Sequence, residues 1–178
     1  MILQNLLASR IVDVPDFPSA GIMFKDISPL LADPAAFAAA VDALVDLHRD
    51  LAVDKVVGIE ARGFLLAAPV AYRLGVGLVP VRKPGKLPRS THETSYSLEY
   101  GTNVLQVHQD AFGPGERILL LDDVLATGGT AAAAVRLVQA AGAEVVTVSV
   151  LLELLSLPGR ELLAAEHPDL TVQALLTV

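Results

Sequence analysis

The sequence contains no cysteine and no tryptophan, and aromatic residues make up only 4% of its 178 positions. Without cysteine the chain has no disulfide, no thiolate nucleophile and no cysteine-based zinc site. Positive charge is also scarce, because the chain has 13 Lys and Arg but 20 Asp and Glu, which gives a net charge of -7. This balance argues against non-specific nucleic-acid binding, which depends on basic surfaces. Any anionic ligand must be held by a local basic cluster or by backbone N–H groups.

Long uninterrupted apolar stretches are absent too. The longest apolar segments are interrupted by Arg73, Arg136 or Glu144, so we expect none of them to cross a membrane. Residues 1–10 lack the basic start and apolar stretch of a signal peptide, and a cytoplasmic location is therefore expected. Hydrophobic residues nevertheless make up 53% of the chain. That proportion predicts a substantial core and a single domain over residues 1–178.

Helix-like and strand-like segments alternate along the chain. Asp33 and Pro34 are typical of a helix start, and apolar spacing extends that helix to about Arg49. The mostly polar residues 83–95 are predicted to form a long loop. This order predicts an α/β fold, a mostly parallel twisted sheet with helices on both faces, plus a flexible flap loop. Further strands are predicted at 55–60, 77–82, 96–101, 103–109, 117–122, 144–154 and 170–176, and further helices at 64–75, 128–142 and 159–165.

The segment "LLLDDVLATGGT", residues 119–130, carries the clearest chemical signal. Four apolar residues, 118–121, precede two adjacent aspartates, and a Thr/Gly turn leads into an alanine-rich helix. Backbone N–H groups at such a helix start attract a phosphate, whereas carboxylates accept hydrogen bonds from sugar hydroxyls. A ribose 5-phosphate would satisfy both halves of the segment. The alternative is that the aspartates merely end a strand and cap a turn.

Two other predicted strand ends carry basic residues. Arg62 lies in "EARG", which is either an ordinary strand-to-helix turn with a surface arginine or a turn that exposes N–H groups to an anion. The segment "RKPGKLPR", residues 82–89, has four basic and no acidic residues, so it is either a solvated loop or a flap that closes over an anionic ligand. In open parallel sheets ligands bind at the carboxyl ends of the strands. We therefore expect these turns and the Asp pair to share one site.

The segment "ILLLDDVLATGGTAAA" closely resembles the binding motif for phosphoribosyl diphosphate (PRPP) of the type I phosphoribosyltransferases. Other segments, in the same order along the chain, are similar to adenine phosphoribosyltransferases. They are "DFPSAGIMFKDISPLL" (16–31), "GIEARGF" (58–64), "VPVRKPGKLP" (79–88), "YSLEYG" (96–101) and "ELLSLPGR" (153–160). The resemblance covers most of residues 16–160 and implies the fold of that family.

The resemblance implies purine salvage, in which adenine and PRPP give AMP and diphosphate. It makes Glu99 the catalytic residue, places a cis bond at Glu60–Ala61, and implies Mg²⁺ carried by PRPP and a homodimer. None of the four histidines has metal-ligand spacing. The resemblance assigns the ribose and 5-phosphate to Asp122, Asp123, Ala126, Thr127, Gly128, Gly129 and Thr130, the diphosphate to Arg62, Arg82, Lys83 and Lys86, and adenine to Met23, Phe24, Lys25 and Leu154.

Two other functions compete with this interpretation. An enzyme of the same fold could use another base, such as guanine, xanthine or orotate. A regulator that senses PRPP or a nucleotide could also be built on this fold. A DNA-binding regulator would need an additional helix-turn-helix segment and a basic face, and the charge of this chain has the opposite sign.

Overall fold

The computed structural model describes residues 2–97 and 102–178. The order of helices and strands confirms the predicted α/β alternation. Within these ranges, no helix is both long enough and apolar enough to cross a bilayer. The helices are α1 (Ile2–Ala8), α2 (Ser28–Ala32), α3 (Pro34–His48), α4 (Gly63–Leu74), α5 (Gly129–Ala140) and α6 (Gly159–Glu166). The strands are β1 (Val12–Pro15), β2 (Met23–Asp26), β3 (Lys55–Ile59), β4 (Gly77–Val81), β5 (Thr91–Ser97), β6 (Thr102–His108), β7 (Arg117–Leu125), β8 (Glu144–Glu153) and β9 (Thr171–Thr177).

A parallel sheet with the strand order β4-β3-β7-β8-β9 forms the centre of the molecule. Alternate residues of β7 enter different cores, as expected for a strand that is covered on both faces. Ile118 and Leu120 pack with residues of α5, whereas Leu119 and Leu121 pack with residues of α3 and α4. The prediction of helices on both faces of the sheet is therefore confirmed.

The helix starts follow local chemistry. The side chain of Asp33 accepts hydrogen bonds from the backbone N–H groups of Ala35 and Ala36, and Pro34 occupies the first position of α3. This N-cap satisfies donors that the first helical turn leaves without a partner. The predicted start and end of α3 are both confirmed.

Two sequence predictions were wrong at the ends of strands. Residues 91–95 belong to β5 and are not part of a loop, because they pair with β6 in an antiparallel ribbon. Strand β7 does not stop at Asp122 but continues to Leu125. Its neighbour β8 also continues, so that Asp122 lies beside Val150 and Leu125 lies beside Glu153. In both places another strand supplies the pairing: the next strand along the chain for β5, and the strand that follows helix α5 for β7.

Candidate active site

The turn at residues 126–130 lies at the end of β7 and at the start of α5. Gly128 is the N-cap of α5 with φ 84° and ψ -13°, a left-handed conformation that favours glycine. The helix leaves its first backbone N–H groups without intrahelical partners, and its dipole adds positive potential there. The turn therefore has the geometry to bind an anion such as a phosphate.

A second glycine, Gly159, packs closely against this turn. A Cβ atom on Gly128 would lie 2.6 Å from the carbonyl oxygen of Gly159, and a Cβ atom on Gly159 would overlap the carbonyl oxygen of Ala126. The residue after Gly159 is anchored to β8, because Arg160 Nε donates to Oε1 of the buried Glu153 at 2.7 Å. That hydrogen bond raises the pKa of Arg160. The start of α6 therefore packs its backbone directly against the turn.

The two aspartates have different surroundings. Oδ1 of Asp122 accepts the backbone N–H of Asp123 at 2.9 Å, and it fills the space beside Gly63 at the start of α4. Burial, together with the neighbouring carboxylate of Asp123, raises the pKa of Asp122 well above its usual value. The ionised form of Asp122 therefore gains from any hydrogen-bond donor or cation that a ligand brings.

Asp123 is only 6% exposed, and it faces Arg62. The distance from Oδ2 of Asp123 to Nε of Arg62 is 2.7 Å. The contact is an ion pair without hydrogen-bond alignment, and this buried oxygen accepts no aligned hydrogen bond from the described residues. Buried carboxylate oxygens normally have donors. Asp123 is therefore suited to accept a hydrogen bond from a ligand hydroxyl.

Arg62 belongs to the turn between β3 and α4. The preceding Glu60–Ala61 peptide bond is cis, which confirms the expectation from the resemblance. The Arg62 guanidinium lies 4.7 Å from the centre of the Phe24 ring, within range of a cation–π interaction. The structure thus joins one predicted diphosphate residue to a predicted ribose residue, Asp123, and to a predicted adenine residue, Phe24.

The basic residues after β4 divide into two groups. Arg82 is partly buried, and its Nε lies 3.1 Å from Oε2 of Glu60, which also accepts the backbone N–H of Lys83 at 2.9 Å. Although burial acts in the opposite direction, these hydrogen bonds lower the pKa of Glu60. The side chains of Lys83 and Lys86 are exposed. Both lysines are thus accessible to an anionic ligand, while Arg82 is engaged with Glu60.

The predicted adenine residues come from two parts of the fold. Phe24 lies in β2 and contacts Phe17 edge-on, with ring centres 4.9 Å apart. The side chain of Lys25 pairs with Asp13 across the β1–β2 hairpin at 2.7 Å, so its backbone is the part that remains to recognise a purine edge. Met23 is 49% exposed.

The remaining predicted positions are Leu154 and Glu99. The backbone N–H of Leu154 donates to Leu125 at 2.9 Å, which places Leu154 beside the end of β7. Glu99, the predicted catalytic residue, lies outside the described residues. Of the residues that are described, no three or more His, Asp or Glu side chains are grouped so that they could hold a metal ion.

Several contacts of this site were missed by the sequence reasoning. Glu60 could have been found, because a carboxylate at the end of an apolar strand needs a partner. Phe17, Tyr96 and Gly159 carry no local signal of their roles. They contact Phe24, Thr130 and Ala126 respectively, and the contacts of Tyr96 and Gly159 join segments that are distant in sequence.

The comparisons with known proteins agree with this geometry. The family described as phosphoribosyl transferase domain matches residues 26–169. The chain belongs to this family. Within the phosphoribosyltransferases, it is 63% identical over 163 residues to an adenine phosphoribosyltransferase of Acidothermus cellulolyticus, with 92% of each chain covered.

Solved structures of phosphoribosyltransferases superpose closely on this chain. The adenine phosphoribosyltransferase of Rhodothermus marinus is 47% identical, has a TM-score of 0.93, and is matched over 99% of both chains. That of Giardia lamblia, solved with 9-deazaadenine, is 39% identical with a TM-score of 0.91, covering 97% of this chain and 96% of the other. These similarities confirm the phosphoribosyltransferase fold expected from the sequence.

Proposed function

We propose that this protein transfers the 5-phosphoribosyl group of PRPP to adenine, giving AMP and diphosphate. The observation that carries the proposal is the ion pair between Arg62 and Asp123, at 2.7 Å. It joins the turn after β3 to the strand that leads into the 126–130 turn. Three features then lie along one path for the substrate. They are a turn for the phosphate, a carboxylate for the sugar hydroxyls and an arginine beside an aromatic ring. The similarity to adenine phosphoribosyltransferases supports adenine as the base.

The proposal orients PRPP along that path. Thr127, Gly128, Gly129 and Thr130, with Ala126, bind the 5-phosphate, and Asp122 and Asp123 accept hydrogen bonds from the ribose hydroxyls. Arg62, Arg82, Lys83 and Lys86 compensate the charge of the diphosphate. Phe24, Met23, the backbone of Lys25 and Leu154 form the adenine pocket. The whole chain, residues 1–178, acts as one phosphoribosyltransferase domain.

The reaction forms a bond between N9 of adenine and the anomeric carbon and breaks the bond from that carbon to the diphosphate, with inversion. N9 must lose its proton as the new bond forms. Glu99 is proposed to steer or accept that proton through the purine ring nitrogens. Positive side chains around the leaving group stabilise its developing charge, and a closed flap excludes water from the reactive carbon.

Mg²⁺ is proposed to enter the site with PRPP. Carboxylate oxygens suit this ion, and a cation beside the Asp pair would offset the burial and the repulsion from Asp123 that raise the pKa of Asp122. The ion would be held mainly by the diphosphate and the ribose hydroxyls, with Asp122 and Asp123 nearest on the protein. When bound, it supplies charge neutralisation for the leaving diphosphate.

The expected homodimer has support in the apolar surface of α4 and β4. Leu65 and Tyr72 lie two turns apart on α4 and are 49% and 85% exposed. Leu78, on the edge strand β4, is 44% exposed and lies beside Val56, which packs with α4 residues. We propose that a second copy of the chain covers these residues. Sedimentation should show a dimer that Tyr72→Asp weakens, and a monomeric parent protein would contradict the proposal.

A cytoplasmic location stays a prediction of the sequence.

The decisive experiment measures diphosphate release from PRPP with Mg²⁺ and a panel of free bases. We expect turnover with adenine and little with hypoxanthine, guanine, xanthine or orotate. If adenine were inert while another base reacted, the base assignment would be wrong. Tight PRPP binding without turnover on any base would instead favour the sensing regulator.

A further inference from the structure

Tyr96 connects the β5–β6 hairpin to the phosphate-binding turn. Its hydroxyl oxygen lies 3.0 Å from Oγ1 of Thr130, the second residue of α5. Tyr96 is only 9% exposed, and it packs in the same core as Leu105 of the hairpin and Ala131 of α5. The hydroxyl of Tyr96 is thus held in place by a buried ring.

A second hydrogen bond is compatible with Tyr96 as the donor in this contact. Nδ2 of Asn103, opposite Tyr96 in the hairpin, donates to the Tyr96 hydroxyl at 3.4 Å. Either hydroxyl could donate in the Tyr96–Thr130 contact, and a Tyr96 oxygen that accepts from Asn103 still has its own hydrogen for Thr130. A hydroxyl that accepts one hydrogen bond keeps its hydrogen for another acceptor. When Tyr96 donates to Thr130, the hydrogen of the Thr130 hydroxyl is free to be donated onward.

We propose that Tyr96 is a positioning residue that orients the Thr130 hydroxyl as a donor to the 5-phosphate of PRPP. This inference rests on the proposed function, which assigns the 5-phosphate to the 126–130 turn. Threonine hydroxyls at a helix start otherwise form local hydrogen bonds with the backbone. The Tyr96 hydroxyl removes that freedom by filling the acceptor position of Oγ1. The same hydrogen bond connects the 126–130 turn, where the 5-phosphate is proposed to bind, to strand β5, which precedes Glu99 in the sequence.

Tyr96→Phe tests the proposal, because it deletes the hydroxyl and keeps the buried ring. Calorimetry should compare two probes, ribose 5-phosphate and diphosphate with Mg²⁺. We expect the affinity for ribose 5-phosphate to fall about 5-fold, the usual effect of one lost hydrogen bond. Diphosphate affinity should stay unchanged, because diphosphate occupies the opposite end of the site. Unchanged ribose 5-phosphate affinity, or an equal loss for both probes, would overturn the proposal.

A double-mutant cycle keeps the test independent of folding effects. With Thr130→Val in the background, adding Tyr96→Phe should have no further effect on ribose 5-phosphate affinity. With Thr130→Ser, which retains the hydroxyl, the effect of Tyr96→Phe should persist at about 5-fold. Additive losses in the Thr130→Val background would overturn the positioning role of Tyr96 but not the proposed function. Absence of ribose 5-phosphate binding by the parent protein would instead overturn the proposed function, and the inference with it.

Discussion

Nε of Arg62 lies 2.7 Å from Oδ2 of Asp123, so the turn after β3 and the end of β7 are joined by an ion pair. Asp123 is buried, whereas the side chain of Arg62 is 37% exposed. The carboxylate is therefore fixed in position while the guanidinium can still reach a ligand. In the proposed complex, this pair lies between the ribose hydroxyls and the diphosphate.

Asp123→Asn should weaken PRPP binding. The amide presents one oxygen where the carboxylate presents two, and it leaves Arg62 without its counter-charge. We expect the Kd for PRPP to rise about 10-fold, as for a lost hydrogen bond to a charged group. Titration calorimetry measures the effect, and Asp42→Asn, which removes an exposed carboxylate from α3, is the matched control. Unchanged PRPP affinity in Asp123→Asn would count against the role in binding the ribose hydroxyls.

Glu99→Gln should lower kcat far more than it changes PRPP affinity. A glutamine is nearly the same size as a glutamate but cannot accept the proton that adenine loses. A reduction in kcat of about 100-fold is the expected size for the loss of one general base. Steady-state kinetics with both substrates, alongside PRPP binding, separates the two quantities. Turnover comparable to that of the parent protein would remove Glu99 from the catalytic role.

Gly159→Ala should raise the KM for PRPP. The φ of Gly159 is not positive, so alanine meets no backbone penalty there, but its Cβ would overlap the carbonyl oxygen of Ala126. The turn at 126–130 must then shift. We expect the KM for PRPP to rise several-fold with a smaller change in that for adenine, and a stability loss of about 2 kcal/mol from overpacking.

Gly113→Ala provides the matched control for this substitution. A Cβ on Gly113 would lie 3.4 Å from Cδ of the Glu116 side chain, an ordinary contact. Steady-state kinetics and thermal unfolding should be measured on both variants. If Gly159→Ala left the KM for PRPP at the parent value, the close packing of α6 on the turn would have no role in binding.

His48→Leu should reduce the pH dependence of stability. His48 is fully buried at the end of α3, and burial lowers its pKa from 6.5 to about 4. Because the pKa in the folded state is the lower one, the unfolded state binds more protons below pH 6.5. The stability contribution is therefore present above that pH and is lost as the pH falls towards 4.

Urea unfolding at neutral pH and near pH 5 measures this effect. Over that range the parent protein should lose about 2 kcal/mol more than His48→Leu, from a single histidine with this pKa shift. The titration of carboxylates contributes to both proteins and cancels in the difference. Equal losses in the two proteins would show that His48 is not a neutral buried group.

Features that depend on short-range chemistry could be predicted from the sequence. Asp33 and Pro34 start a helix because their side chains act on the next few backbone groups. The apolar run before Asp122 predicts a buried strand, because each residue needs only to lie between two helical layers. The Thr/Gly turn at 126–130 follows from the same kind of local rule. These features suffice for the fold class and for the position of the turn at 126–130.

The lengths of β5 and β7 depended on the tertiary structure. Residues 91–95 are largely polar and show no strand pattern, yet they pair with β6. Strand β7 extends past Asp122 because β8 extends beside it. A polar strand gains its hydrogen bonds from a partner, and the partner's position cannot be obtained from the strand's own residues.

The sequence by itself determined the alternation of layers, the helix starts and the Thr/Gly turn that leads into α5, because each depends on residues within a few positions of one another. Only the tertiary structure decided which side chains meet across that turn. Arg62 reaches Asp123, Tyr96 reaches Thr130, and Gly159 packs on Ala126. Each pair joins segments at least about thirty residues apart, and their contact depends on how sheet, hairpin and helices pack together as a whole.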